Sequence, residues 1–198
     1  MKLNWAERLA VNNPFRVLQQ RMEIRWMRRW TRLRPGSRVL EVGCGRGAGA
    51  RLIREAFGLE ALLASDLDER MIRQARRYLP PSAREGISLL VCDAFRLPFP
   101  DASLDAIFGF GVLHHVPDWE GALAEIARVI QPEGLYITEE LYPTLYQNVV
   151  TKHILLHPRE NRFRSGEFKA AFSRRGLRIR ASLEHPWLGI LAVAEKTA

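Results

Sequence analysis

Between residues 38 and 141, short β-branched or apolar runs alternate with helix-length stretches whose apolar positions recur every three to four residues. Successive βαβ units produce this pattern. Strands are expected at Arg38–Val42, Ala61–Ser65, Ile87–Cys92, Leu104–Phe110 and Leu135–Glu139. Helices are expected at Ala48–Phe57, Glu69–Tyr78 and Trp119–Ile130, with Gly58 and the Pro80-Pro81 pair as stops. Ser165 can cap a further helix running to Arg175 and closed by Gly176, followed by strands at Leu177–Leu183 and Gly189–Glu195. Seven strands with helices between them make an α/β fold.

Ahead of this core, Phe15–Leu33 reads as one amphipathic helix. On a helical wheel Phe15, Met22, Trp26, Trp30 and Leu33 share an arc, and Arg21, Arg25, Arg28, Arg29 and Arg32 fall together on nearly the opposite one. The apolar arc is expected to face the protein, as pocket lining, as a lid or as ordinary packing beneath a solvated arginine face.

A length of 198 residues suits one domain, and 47% apolar with 26% charged residues excludes disordered, collagen-like and coiled-coil chains. The longest apolar runs are strand-sized, so no membrane span is expected. The first residues, MKLNWAERLAVNNP, carry charges where a secretion signal would be apolar, so a cytoplasmic chain is expected. Cys44 and Cys92 form no metal-binding spacing, and neither a disulfide framework nor a metal site is expected. The net charge of +8 is unevenly spread: residues 1–38 carry +8, residues 39–151 carry −6, residues 152–180 carry +7, and the remainder −1. Basicity therefore belongs to two segments flanking an acidic middle.

The chemistry concentrates at strand ends. Residues 39–49 read VLEVGCGRGAG, a strand entering a glycine turn and then a helix. Glycines 43, 45 and 47 remove the β-carbons that would keep a ligand off the backbone, and the helix behind them offers unpaired amides. The same residues satisfy a dinucleotide fingerprint, so the turn alone leaves NAD and adenosine ligands open. Asp66 follows the second strand, where two carboxylate oxygens match a ribose diol in either ligand. Asp68 fits the N-cap of the next helix. Asp93, closing the third strand, can accept from an exocyclic amine while the N–H of Ala94 donates to a ring nitrogen, which is an adenine edge. A dinucleotide fold does not ordinarily place an acid there.

Together, EVGCGRG, Asp66, Asp93-Ala94 with LPFPDASLD after it, LHHVPDW and RVIQPEGLYITEE resemble the class I S-adenosylmethionine-dependent methyltransferases. The resemblance covers roughly residues 37–141 and is to the small-molecule branch that includes the ubiquinone and menaquinone C-methyltransferases (methyltransferase type 11). It implies a doubly wound, Rossmann-like, mostly parallel seven-stranded sheet with the last strand antiparallel. It further implies that Glu41 and the Gly43 to Gly47 loop, Cys44 and Gly45 included, face the methionine portion of S-adenosylmethionine, and that Asp66 faces the ribose. Leu67 and Met71 would flank the adenine, Asp93 and Ala94 would meet its edge, and Phe110 with Gly111 would lie under the sulfonium. Two positions depart from the pattern: Asp68 where Ser is frequent, and Glu133 where Gly is customary.

Methyl transfer from a sulfonium needs alignment and exclusion of water more than acid–base help. His114 and His115 are the adjacent titratable pair near the expected cofactor mouth; one could take the acceptor's proton, or buttress the helix starting near Asp118. Trp119, Trp187, Tyr142 and Tyr146 could wall an apolar substrate or serve as packing. The expected division is a helical segment 1–36, a cofactor-binding core 37–141, a variable substrate segment 142–164, and a final helix and strand hairpin 165–198. The expected acceptor is a small or lipid-like metabolite. The basic flanks also suit an anionic membrane surface or, as an alternative, an RNA or protein substrate. A non-catalytic cofactor-binding module and a dehydrogenase are the remaining readings.

Overall fold

The computed structural model describes residues 13–146 and 161–197. Helix α1 (Pro14–Met27) leads into β1 (Val39–Val42), α2 (Ala48–Phe57), β2 (Leu62–Asp66), α3 (Glu69–Tyr78), the short α4 (Pro81–Arg84) and β3 (Ile87–Val91). Then come β4 (Leu104–Phe110), a 3₁₀ turn (Leu113–His115), α5 (Trp119–Val129), β5 (Ile130–Leu141), the short α6 (Pro143–Tyr146), α7 (Ser165–Arg174), β6 (Leu177–His185) and β7 (Gly189–Lys196). The sheet order is β3-β2-β1-β4-β5-β7-β6, and β7 runs antiparallel to both of its neighbours.

Local chemistry explains most boundaries. The Asp68 side chain caps α3 by accepting from Arg70 N–H at 2.9 Å, and Asp118 caps α5 through Gly121 N–H. Gly58 closes α2 in the left-handed region. Strand β5 begins five residues before the expected Leu135, because Ile130 pairs with Leu104 before the register shifts and pairing resumes at Leu135. Residues 131–134 form the irregularity, with Glu133 at φ 64°. Each sheet face has its own apolar core. One holds Trp119, Phe168 and Phe172 from α5 and α7; the other holds Ile24 and Met27 of α1 with Ile53 of α2.

Helix α1 corrects the expected face and length. It ends at Met27, where Arg29 and Trp30 donate to carbonyls three residues back. Its buried residues are Gln20, Glu23, Ile24 and Met27, whereas Phe15 and Met22 of the expected inward arc are 82% and 66% exposed. The inner face meets Glu139 near the carboxyl end of β5, so Arg16, Gln20 and Glu23 turn in and the large apolar residues of the N-terminal turns face out. The arginines adjoin this outer apolar stripe and do not oppose it. Among the described residues no helix is long and apolar enough to cross a membrane.

Candidate functional site

Successive strands are added outward in opposite directions from the parallel neighbours β1 and β4, and a crevice opens beyond the carboxyl ends of these strands, where ligands of doubly wound folds bind. The crevice is a cavity of about 410 Å³. Its lining includes Glu41 of β1 with Gly43, Cys44 and Gly45 of the turn behind it, Asp66, Leu67 and Met71 from the end of β2 onward, Asp93 and Ala94 after β3, and Phe110 and Gly111 at the end of β4; Gly47, also expected to face the ligand, instead turns toward Leu79 and Ala75.

The glycine turn is built by backbone bonds. Cys44 N–H donates to the Ser65 carbonyl, Gly47 N–H to the Cys44 carbonyl, and Gly43, Gly45 and Gly47 all have positive φ. A β-carbon on Gly49 would lie 2.0 Å from Glu41 Oε1, so this glycine lets the Glu41 side chain pass beneath α2. Around Gly45 nothing lies within 4 Å of such a β-carbon, so the turn is open on the cavity side.

Of the carboxyls that line the space, Glu41, Asp66 and Asp93 face it differently. Glu41 is buried, and its Oε2 has no hydrogen-bond partner. Desolvation, with nearby Asp66, pushes its pKa up to about 8. Asp66 accepts from Asp68 N–H with one oxygen at 2.8 Å and from Gly45 N–H with the other at 3.0 Å; burial raises its pKa, and these two bonds oppose the rise. Each oxygen keeps an acceptor site for a further donor. Asp93 is exposed at the rim, with Oδ1 accepting from Phe95 N–H at 3.0 Å. Cys44 is buried, and desolvation raises its thiol pKa well above the ordinary value, so it is a packed thiol.

The two histidines part company. His115 lines the cavity. His114 is buried behind it with its ring centroid 4.3 Å away, and bonds to Glu140 of β5. Trp119 packs against Phe163 in the core, Tyr142 is buried and donates to Glu184, and Trp187 is exposed; none of the three lines the cavity. The Tyr146 side chain, and most of the expected substrate segment, lie outside the described residues.

Sequence reasoning missed Arg16 and Gln20, which α1 delivers to the cavity, and Glu139, whose Oε2 lies 2.7 Å from Arg16 Nη2. Burial pushes the Glu139 pKa up to about 7 against the pull of Arg16. The consecutive acids in YITEE, at the end of a strand otherwise apolar, were the available signal.

The model of the methyltransferase domain family matches residues 40–138. The chain is 34% identical over 121 residues to a sterol 24-C-methyltransferase of Gibberella zeae, covering 59% of this chain and 31% of that protein. It is 34% identical over 137 residues to the demethylmenaquinone methyltransferase of Geobacillus kaustophilus, covering 66% and 58% respectively. The chain thus spans less than two thirds of the length of either relative. Geranyl diphosphate methyltransferase, solved in complex with SAM, shares the fold with a TM-score of 0.77 at 16% identity, over 97% of this chain and 90% of that one. The family match spans half of the chain and contains the glycine turn with Glu41, Asp66 and Asp93: this chain belongs to the methyltransferase domain family.

Proposed function

We propose that the chain binds S-adenosylmethionine in this cavity and transfers the methyl group to a small or lipid-like acceptor. The observation that carries the reading is the convergence of Glu41, Asp66 and Asp93, from the ends of three adjacent strands, on one cavity floored by the open glycine turn. The unpartnered, buried Glu41 oxygen fits an ammonium group, because a cation would draw that carboxyl into its ionised form. Asp66 has acceptor capacity for a diol, and Asp93 stands beside Ala94 at the rim for an adenine edge. Bound S-adenosylmethionine supplies a methyl group already activated for displacement, with S-adenosylhomocysteine as the product.

The chain's own tasks are then to bind, align and exclude water. Phe110, Val112, Val116 and Pro117 give the lining an apolar wall, and His115 presents an imidazole within it. His115 would take the proton of a hydroxyl, amine or acidic carbon acceptor as the methyl arrives, while His114 positions it from behind. An apolar wall suits the acceptor chemistry in the names of the sterol and demethylmenaquinone relatives. On this reading residues 37–141 are the cofactor-binding core, 1–36 cover it, and 142–164 contribute to acceptor recognition.

Titration calorimetry with S-adenosylhomocysteine and with NAD tests the proposal. Binding of the former alone is expected; binding of NAD alone would replace it with a dehydrogenase.

A further inference from the structure

The outward face of α1 is unlike the rest of the surface. Phe15, Leu18 and Met22 are 82%, 56% and 66% exposed, and their spacing of three and four residues sets them in one stripe along the helix. Trp30, in the turn after the helix, is exposed as well. Beside the stripe stand Arg21 and Arg25, with Arg28, Arg29 and Arg32 following, all exposed and none in an ion pair with a described residue. The one acid between residues 13 and 34 is Glu23, which is buried and bonded to Arg16. Among the described residues the outer face is therefore apolar and cationic with no counter-charge, while the inner face of the same helix brings Arg16 and Gln20 to the cavity.

We infer that this face of α1 docks the protein on an anionic lipid bilayer, with the helix lying in the interface plane. Aromatic and aliphatic side chains in a row gain free energy by leaving water for the acyl boundary, and adjoining arginines reach the headgroup phosphates from the same depth. The uncompensated positive charge complements anionic lipid. A nucleic-acid surface would use the arginines and the rings of Phe15 and Trp30 but leaves the exposed Leu18 and Met22, which offer no ring for base stacking, without a role. Docking goes beyond the proposed methyl transfer and does not depend on the acceptor being a lipid, although it would set the cavity beside the bilayer.

Flotation of the full chain with phosphatidylcholine vesicles, with and without phosphatidylglycerol, tests the inference. Partitioning is expected to be at least about tenfold stronger onto the anionic vesicles. Leu18→Asp with Met22→Asp should reduce it by about tenfold or more, and Arg21→Gln with Arg25→Gln should remove most of its salt sensitivity, both with unchanged thermal melting. Brominated acyl chains should quench tryptophan fluorescence in the parent and much less in Trp30→Phe. Equal partitioning onto neutral vesicles, or no effect of the Leu18 and Met22 changes, overturns the inference. So does competition by single-stranded RNA that depends only on the arginines, or a dimer that dissociates when Leu18 and Met22 become Asp. A chain that floats but binds no S-adenosylhomocysteine retains docking and loses the proposed function; one that binds it but does not float does the reverse.

Discussion

Glu140 holds His114 and the turn that carries it. Its carboxyl oxygens lie 2.8 Å from His114 Nδ1, and they accept the main-chain N–H groups of Val112, Leu113 and His114 at 3.2, 2.9 and 3.2 Å. Three main-chain donors and one imidazole nitrogen from the segment after β4 thus meet one buried side chain of β5, and the His115 ring lies tilted against the ring so fixed. Glu140→Gln keeps a single carbonyl acceptor and adds an amide that points donors at donors. The expected loss is about 2 kcal/mol in urea unfolding, with faster amide exchange confined to Val112–Val116. Unchanged exchange there would mean that the turn holds its shape without Glu140.

Glu41 gives the ligand-free protein a pH signature. Its pKa is about 8 in the fold against 4.5 for an ordinary glutamate, so between these values the folded state binds more protons than the unfolded state. The stabilising contribution is complete below pH 4.5 and disappears as pH rises through 8. The slope is at most about 1.4 kcal/mol per pH unit. Thermal melting across this window should show a fall that is shallower in Glu41→Gln. If an ammonium engages the ionised Glu41, binding of S-adenosylhomocysteine near pH 7 releases a proton, seen in calorimetry as a buffer-dependent heat that the Gln variant lacks.

Asp66 and Asp93 should separate by burial. Asp66→Ala removes both the ligand contact and the acceptor for Gly45 and Asp68 N–H, so affinity for S-adenosylhomocysteine should fall by about 1 to 3 kcal/mol and the melting temperature should fall with it. Asp93 is exposed and accepts from one backbone group, so Asp93→Ala should weaken binding with little change in melting. Affinity unchanged from the parent in both variants would remove the adenosine assignment from this cavity.

The strand ends were legible because their chemistry is local: glycines at 43, 45 and 47 take positive φ that other residues rarely adopt, and acids ending β2 and β3 follow apolar runs that leave them nowhere but the crevice. The start of β5 was not, because the irregularity at 131–134 interrupts the alternation and places Glu133 in a backbone region where glycine is customary. Helix α1 misled for a tertiary reason. A wheel ranks faces by apolarity, and here the inward face was decided by Glu139, which lies 123 residues away in the chain and demands Arg16. The pairing of His114 with Glu140 was likewise hidden in two segments that only the β4–β5 register brings together.

The Arg16 cluster fastens α1 to the sheet. Nη1 lies 3.1 Å from both Glu23 oxygens and Nη2 lies 2.7 Å from Glu139 Oε2, with all three side chains largely buried. Arg16→Met leaves two buried carboxyls facing one another without their cation, and should cost about 3 kcal/mol at neutral pH. Adding Glu139→Gln removes one of the repelling charges, so the double variant should be more stable than Arg16→Met alone. Acid should act as the second mutation does. The Glu139 pKa of about 7 is already above the ordinary 4.5 with Arg16 present, and losing that cation raises it further. The deficit of Arg16→Met should therefore be largest above pH 7 and shrink toward pH 5, where Glu139 is protonated in the folded variant and unpaired charge no longer opposes folding. Chemical denaturation of the parent and both variants at pH 5 and pH 8 measures all three quantities. A deficit independent of pH and unrelieved by Glu139→Gln would show that α1 is held by Ile24 and Met27 alone.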